Sequence, residues 1–172
     1  MSNITSLEKL LIEWHRRAST NKDAHYDAGK YFARLNQLLG IPVIVLSAIV
    51  GTSVFATLAQ QVDLWIKIII GVVNFSVAIL GGLQTFFGYA ERVEKHRLAG
   101  ANYGAIAREL EQVITTGKIE DETEFLNKLR ERMDTLSSES PEIPHEIWRR
   151  PDEWHKNNDT NELWMKIAQD TK

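Results

Sequence analysis

Five histidines, His15, His25, His96, His145 and His155, are the first residues to weigh for catalysis or metal binding in this 172-residue chain. None falls in HExxH or another zinc-ligand spacing. Asp23, His25 and Asp27 alternate in DAHYD, but residues two apart on a helix do not share a face. A solvated polar bend accounts for them better than a metal site. The chain has no cysteine, which excludes disulfides, iron–sulfur clusters, cysteine-bearing zinc sites and a thiol nucleophile. No serine-centred nucleophile motif is visible. Gly81-Gly82 follows no strand pattern and lies within an apolar run, so it cannot cradle a phosphate. Glu8, Glu13 and the acidic cluster from Glu120 to Glu124 read as helix-surface charge. No enzyme and no cofactor are expected. The formal net charge is −3, so the chain has no global basic footprint and direct nucleic-acid binding is not expected.

The distribution of charge is more informative than its sum. The 56 residues from Leu35 to Ala90 contain only Asp63 and Lys67 among charged side chains, while the other 116 hold 41. Within this stretch, Leu38 to Ala59 is 22 residues without a charge. As a helix it would rise roughly 33 Å, enough for the ~30 Å hydrocarbon layer of a bilayer. Pro42 stands in its first turns, where a missing N–H is least costly. Ile68 to Ala90 is a second uncharged run, of 23 residues. Trp65 and Lys67 at its start and Tyr89 at its far end are suited to anchoring at the membrane interface. The few residues around Gln60-Gln61-Val62-Asp63 permit only a tight antiparallel turn. Arg16, Arg17, Lys22, Lys30 and Arg34 precede the first run; Arg92, Lys95, Arg97 and Arg108 follow the second. The positive-inside rule therefore places both termini in the cytoplasm and the turn outside. A cleaved signal peptide is not expected, because the first apolar run begins near Leu38 and charged residues precede it.

The flanking arms read as helices. Thr5-Ser6-Leu7-Glu8 is a capping box. A seam of period near 3.5 follows through Leu7, Leu11, Trp14, Ala18, His25, Ala28, Phe32, Leu35 and Leu39, with a break admissible at Ser19 to Asp23. A second seam leaves the other run through Val93, His96, Gly100, Tyr103, Ala107, Leu110 and Ile114, and Gly117 is a helix stop. Asp121 to Leu136 forms a further helix, Ser137 to Pro151 a proline-punctuated connector, and Leu163, Trp164 and Ile167 one face of an amphipathic tail. The expected fold is an all-α membrane protein: a two-transmembrane helical hairpin with long helical extensions forming a cytoplasmic bundle. Its parts are an N-terminal cytoplasmic helix over 1–37, the hairpin over 38–90 (spans about 38–59 and 66–89), and a cytoplasmic region over 91–172. In the simplest packing the two seams face each other, with Trp14, Phe32, His96 and Tyr103 in the cytoplasmic packing. Residues 91–172 carry 13 basic and 18 acidic side chains, so this part is mildly acidic.

Small and polar residues within the spans form two stripes. Ser47, Gly51 and Thr52 lie along one side of the first. Asn74, Ala78, Gly81, Gly82 and Thr85 lie along the second, with Gln84 at the edge. Lipid does not drive helices together hydrophobically, so such faces mark close helix contacts. A carboxamide at depth, Asn74, needs a partner or water. Two readings stand side by side: a packed hairpin interface with Asn74 bonded to the neighbouring helix, and the lining of an oligomeric pore.

Over roughly residues 7–150 the chain resembles the SLATT family. Carrying the likeness are Trp14, the segment DAHYDAGKYFARLN, the apolar segments LSAIVGTSVFA and VAILGGLQTFF, the helix ERVEKHRLAGANYGAIARELE, and SPEIPHEIW. The resemblance implies a two-transmembrane effector of bacterial conflict systems. Such an effector would oligomerise in the inner membrane and form a pore or disrupt the bilayer when infection is signalled. Implied partners are a nucleotide-signalling enzyme, a reverse transcriptase or another defence-system protein, besides the lipid bilayer and further copies of the chain. The sequence has no separate sensor domain, so the trigger is expected from a partner or from the cytoplasmic helices. A non-conducting membrane adaptor that recruits a soluble enzyme is the alternative.

Overall fold

The computed structural model describes residues 6–57 and 63–147, and among them every regular element is an α-helix. In chain order these are α1 (Ser6–Thr57), α2 (Leu64–Phe87), α3 (Tyr89–Thr116) and α4 (Glu122–Glu139). Two apolar stretches, one in α1 and one in α2, are long enough to cross a membrane. Thr5 and the tail with Leu163, Trp164 and Ile167 lie outside the described residues.

α1 runs through the Ser19–Asp23 stretch without a break. Asn21 donates to the Arg17 carbonyl at 2.9 Å and Lys22 pairs with Asp23 at 3.3 Å, whereas the Thr20 hydroxyl is buried with no hydrogen-bond partner among the described residues. Glu13 bridges Arg16 and Arg17. The hydrogen bond from Arg16 holds the Glu13 carboxyl at about 2 against the cost of its partial burial, with Arg17 adding to the effect. α2 and α3 are separated at one residue, Gly88, which takes the left-handed conformation at φ 56°. Gly117 does the same at φ 64° after α3. Both angles are costly for residues bearing a Cβ. Asp121 caps α4 by accepting from the Glu124 N–H at 2.9 Å, the short-range bond that fixes a helix start.

The chain divides into two compact units, residues 1–29 with 94–172, and residues 30–93. In the first, Leu11, Ala18, Ile106, Ala107, Leu110 and Leu129 form a buried cluster. Leu110 is fully covered, a burial worth about 2–3 kcal/mol. The buried positions recur every seven residues, at 11, 18 and 25 on α1 and at 96, 103 and 110 on α3. This is the 3.5 period that keeps one helix face on its neighbour. Contacts pair His25 with His96 and Lys22 with Gly100 and Gly104, so the two helices run antiparallel. Glycine permits the approach: a Cβ at Gly100 would sit 3.3 Å from the Lys22 carbonyl oxygen.

In the second unit almost nothing is covered. α2 has no buried residue, and among the described side chains on the apolar part of α1 Val50 alone is buried. Half-buried positions include Leu39, Gly40, Val43 and Leu46 on α1, and Val73, Ser76, Val77, Leu80, Gly81 and Gln84 on α2. Gly40 makes room for the Gln84 carboxamide, whose nitrogen lies 3.1 Å from the position of a Cβ there.

Candidate functional site

Two sets of side chains invite a functional reading, one in each unit. In the apolar unit most of the small and polar stripe residues are exposed. Ser47, Gly51 and Thr52 are exposed, as are Asn74, Ala78, Gly82 and Thr85. No atom stands within 4 Å of a Cβ built on Gly51, Gly71, Gly81 or Gly82. Only Gly81 and Gln84 of the stripe are half-buried. Among the described residues the Asn74 carboxamide has no hydrogen-bond partner. The reason is angular: Val73, Val77 and Leu80 lie on the half-buried side, and Asn74 falls on its flank.

The hydroxyls of these stripes are satisfied without a partner helix. Thr52 donates to the Ala48 and Ile49 carbonyls at 3.0 and 2.9 Å. Thr85 donates to Gly81 at 3.1 Å, and Ser76 to Val72 at 2.9 Å. Back-bonding of this kind lets Ser and Thr sit in apolar surroundings. A carboxamide with two donors and an acceptor has no such local solution, which sets Asn74 apart from its neighbours.

One end of this unit is aromatic. Phe32 stacks with Tyr89 at 6.0 Å between centroids, and Tyr89 with Phe87 at 5.2 Å. The Arg92 guanidinium lies 5.5 Å over the Phe32 ring. At the other end, Trp65 and Lys67 are exposed.

In the charged unit, His25 and His96 are 2% and 1% exposed, and their Nδ1 atoms are 3.0 Å apart. One ring donates and the other accepts, so the pair cannot be doubly protonated. Burial, and then the proximity of His96, pushes His25 down to about 4. Tyr103, also buried, stacks on His25 at 5.5 Å and 14°. Trp14 packs half-buried against the core cluster. Among the described residues no group of three or more metal-ligating side chains exists. Seam positions identify His25 and His96 one at a time. Their pairing across 71 residues emerges only when the two seams are laid antiparallel.

Compared with family models, curated proteins and solved structures, the chain matches none.

Proposed function

We propose that the chain is a membrane effector whose copies assemble through the stripe that carries Asn74 and so open a pore or disrupt the bilayer. One observation carries the reading: a carboxamide stands exposed and unpartnered on the most apolar helix, beside glycines with open space above them. In hydrocarbon such a group is stabilised by a second polar group or by water, and a further copy supplies either. Two spans per chain are too few to enclose a water path, so the function requires several copies. In this reading the spans form a hairpin in a bacterial inner membrane with both termini cytoplasmic, supported by the basic residues at one end. Abortive antiviral defence, and a signalling enzyme or reverse transcriptase as the source of the trigger, rest on the SLATT resemblance.

The adaptor alternative draws on a different feature, an open groove of about 380 Å³ lined by Asn102, Ile106, Arg132, Thr135 and Leu136 among others. It predicts membrane association without flux. Reconstitution in liposomes, with dye and ion release measured, separates the two. Release is expected for the wild type. In Asn74→Leu, intact oligomers with reduced or altered flux mark a pore-lining residue, and weaker oligomers with weaker flux mark a structural one. A tight bilayer at every protein density would overturn the effector reading.

A further inference from the structure

We infer that the cytoplasmic end of the apolar part of α1 holds an anionic phospholipid, with Lys30 and Arg34 on its phosphate and Leu38, Ile41 and Val45 along its acyl chain. The inference rests on the membrane reading above. Lys30, Arg34, Leu38, Ile41 and Val45 follow one another at spacings of four, four, three and four, which is one face of a helix. All five are exposed, with Leu38 70%, Ile41 59% and Val45 50% open. From Arg34 to Val45 the helix rises roughly 16 Å, about half the ~30 Å hydrocarbon layer and so the depth of one leaflet. The face thus has the polarity of a phospholipid: cations at one end and an uncovered apolar track directly below them.

Charge completes the match. From residue 27 to 93 one end carries Lys30, Arg34 and Arg92 against Asp27 and Glu91, and the other carries Lys67 against Asp63. The net positive charge sits at a single end. Two cations at i and i+4 repel each other on a helix, and a phosphate oxygen between them turns that repulsion into attraction. Arg34 has no ion-pair partner among the described residues. The Arg92 guanidinium is held over Phe32 instead. Tyr31, 41% exposed and one turn before Arg34, adds a hydroxyl at headgroup level, where tyrosine is enriched.

The test is native mass spectrometry of the full chain in detergent, titrated with phosphatidylglycerol, phosphatidylcholine and soluble glycerol 3-phosphate. A basic residue near the surface favours an anionic headgroup about fivefold. Phosphatidylglycerol is therefore expected to be retained roughly 25-fold over phosphatidylcholine by the wild type. The preference should fall about fivefold in Arg34→Gln and approach parity in the Lys30→Gln/Arg34→Gln double variant. Leu38→Ser should reduce retention of both lipids, and Lys67→Gln should change neither. All the substituted residues are exposed, so unchanged circular dichroism is the expected control. Parity in the wild type, or a preference that survives the double variant, overturns the inference. Glycerol 3-phosphate competing as well as the lipid overturns the lipid as occupant. Failure of the membrane reading is separate: it would appear as extraction of the chain from membranes by a carbonate wash, whatever the lipid binding in detergent.

Discussion

Leu110 and Ile69 are large aliphatic side chains on long helices, yet one is fully covered by protein and the other is 60% open. The contrast extends to their surroundings. The charged unit buries alanine, glycine, histidine and tyrosine along a narrow seam, and the apolar unit leaves most of its isoleucine, valine and phenylalanine uncovered. In water, burial tracks hydrophobicity. Here the most apolar helix, α2, has no buried residue. On the membrane reading the inversion follows, because hydrocarbon, as apolar as the side chains themselves, covers what protein leaves open.

The largest test of this contrast is truncation on each side. Leu110→Ala should cost about 3 kcal/mol through lost transfer energy and the cavity left behind. Ile69→Ala, which leaves no cavity in protein, should shift stability by less than about 0.5 kcal/mol. Denaturant unfolding in detergent, followed by circular dichroism, reads both. Equal losses would break the comparison.

Acid provides the second test. The neutral form of His25 is favoured in the fold, with its pKa lowered to about 4 from an ordinary value near 6.5. Between these values the unfolded chain binds more protons, so stability falls as pH falls. The charged unit should lose about 2 kcal/mol between pH 7 and 4.5, and His25→Gln should flatten that slope in pH-dependent melts. α2 has no titratable side chain after Lys67, so the apolar unit should show no matching loss.

A finer test replaces glycine in both units. Gly100→Leu forces a side chain against the Lys22 carbonyl and the Tyr26 ring and should destabilise by about 1–2 kcal/mol. Gly82→Leu meets nothing within 4 Å. It should leave the melting of the chain unchanged, and its effect should appear as a weaker cross-linked oligomer.

Much of this architecture was legible in the sequence because helical seams and charge-free runs are local, periodic signals. Leu11, Ala18 and His25 on one helix, and His96, Tyr103 and Leu110 on the other, announce their burial by spacing alone. Gly117 and Asp121 mark a helix end and a helix start through their own backbone preferences. Three things were not legible. The Ser19–Asp23 stretch is polar enough to break a helix, yet α1 runs through it. The small residues near Asn74 look like a hairpin seam, yet Asn74, Ala78 and Gly82 are exposed while Val73, Val77 and Leu80, a few tens of degrees away, are half-buried. Two adjacent faces of one helix differ by a single residue of register, which composition does not resolve. Gln84 over Gly40 requires both helices in place, and neither residue signals it alone.

The histidine pair has a consequence for where protons sit within the charged unit. A single hydrogen between two Nδ1 atoms makes the rings different tautomers: the donor ring carries its only proton on Nδ1, while the acceptor ring carries its own on Nε2. The Nε2 atoms are therefore opposite in character, one an acceptor and one a donor. Moving the shared hydrogen from His25 to His96 obliges both distal nitrogens to exchange roles. Two helices linked in this way form a chemically asymmetric joint, although the residue at each side of it is the same.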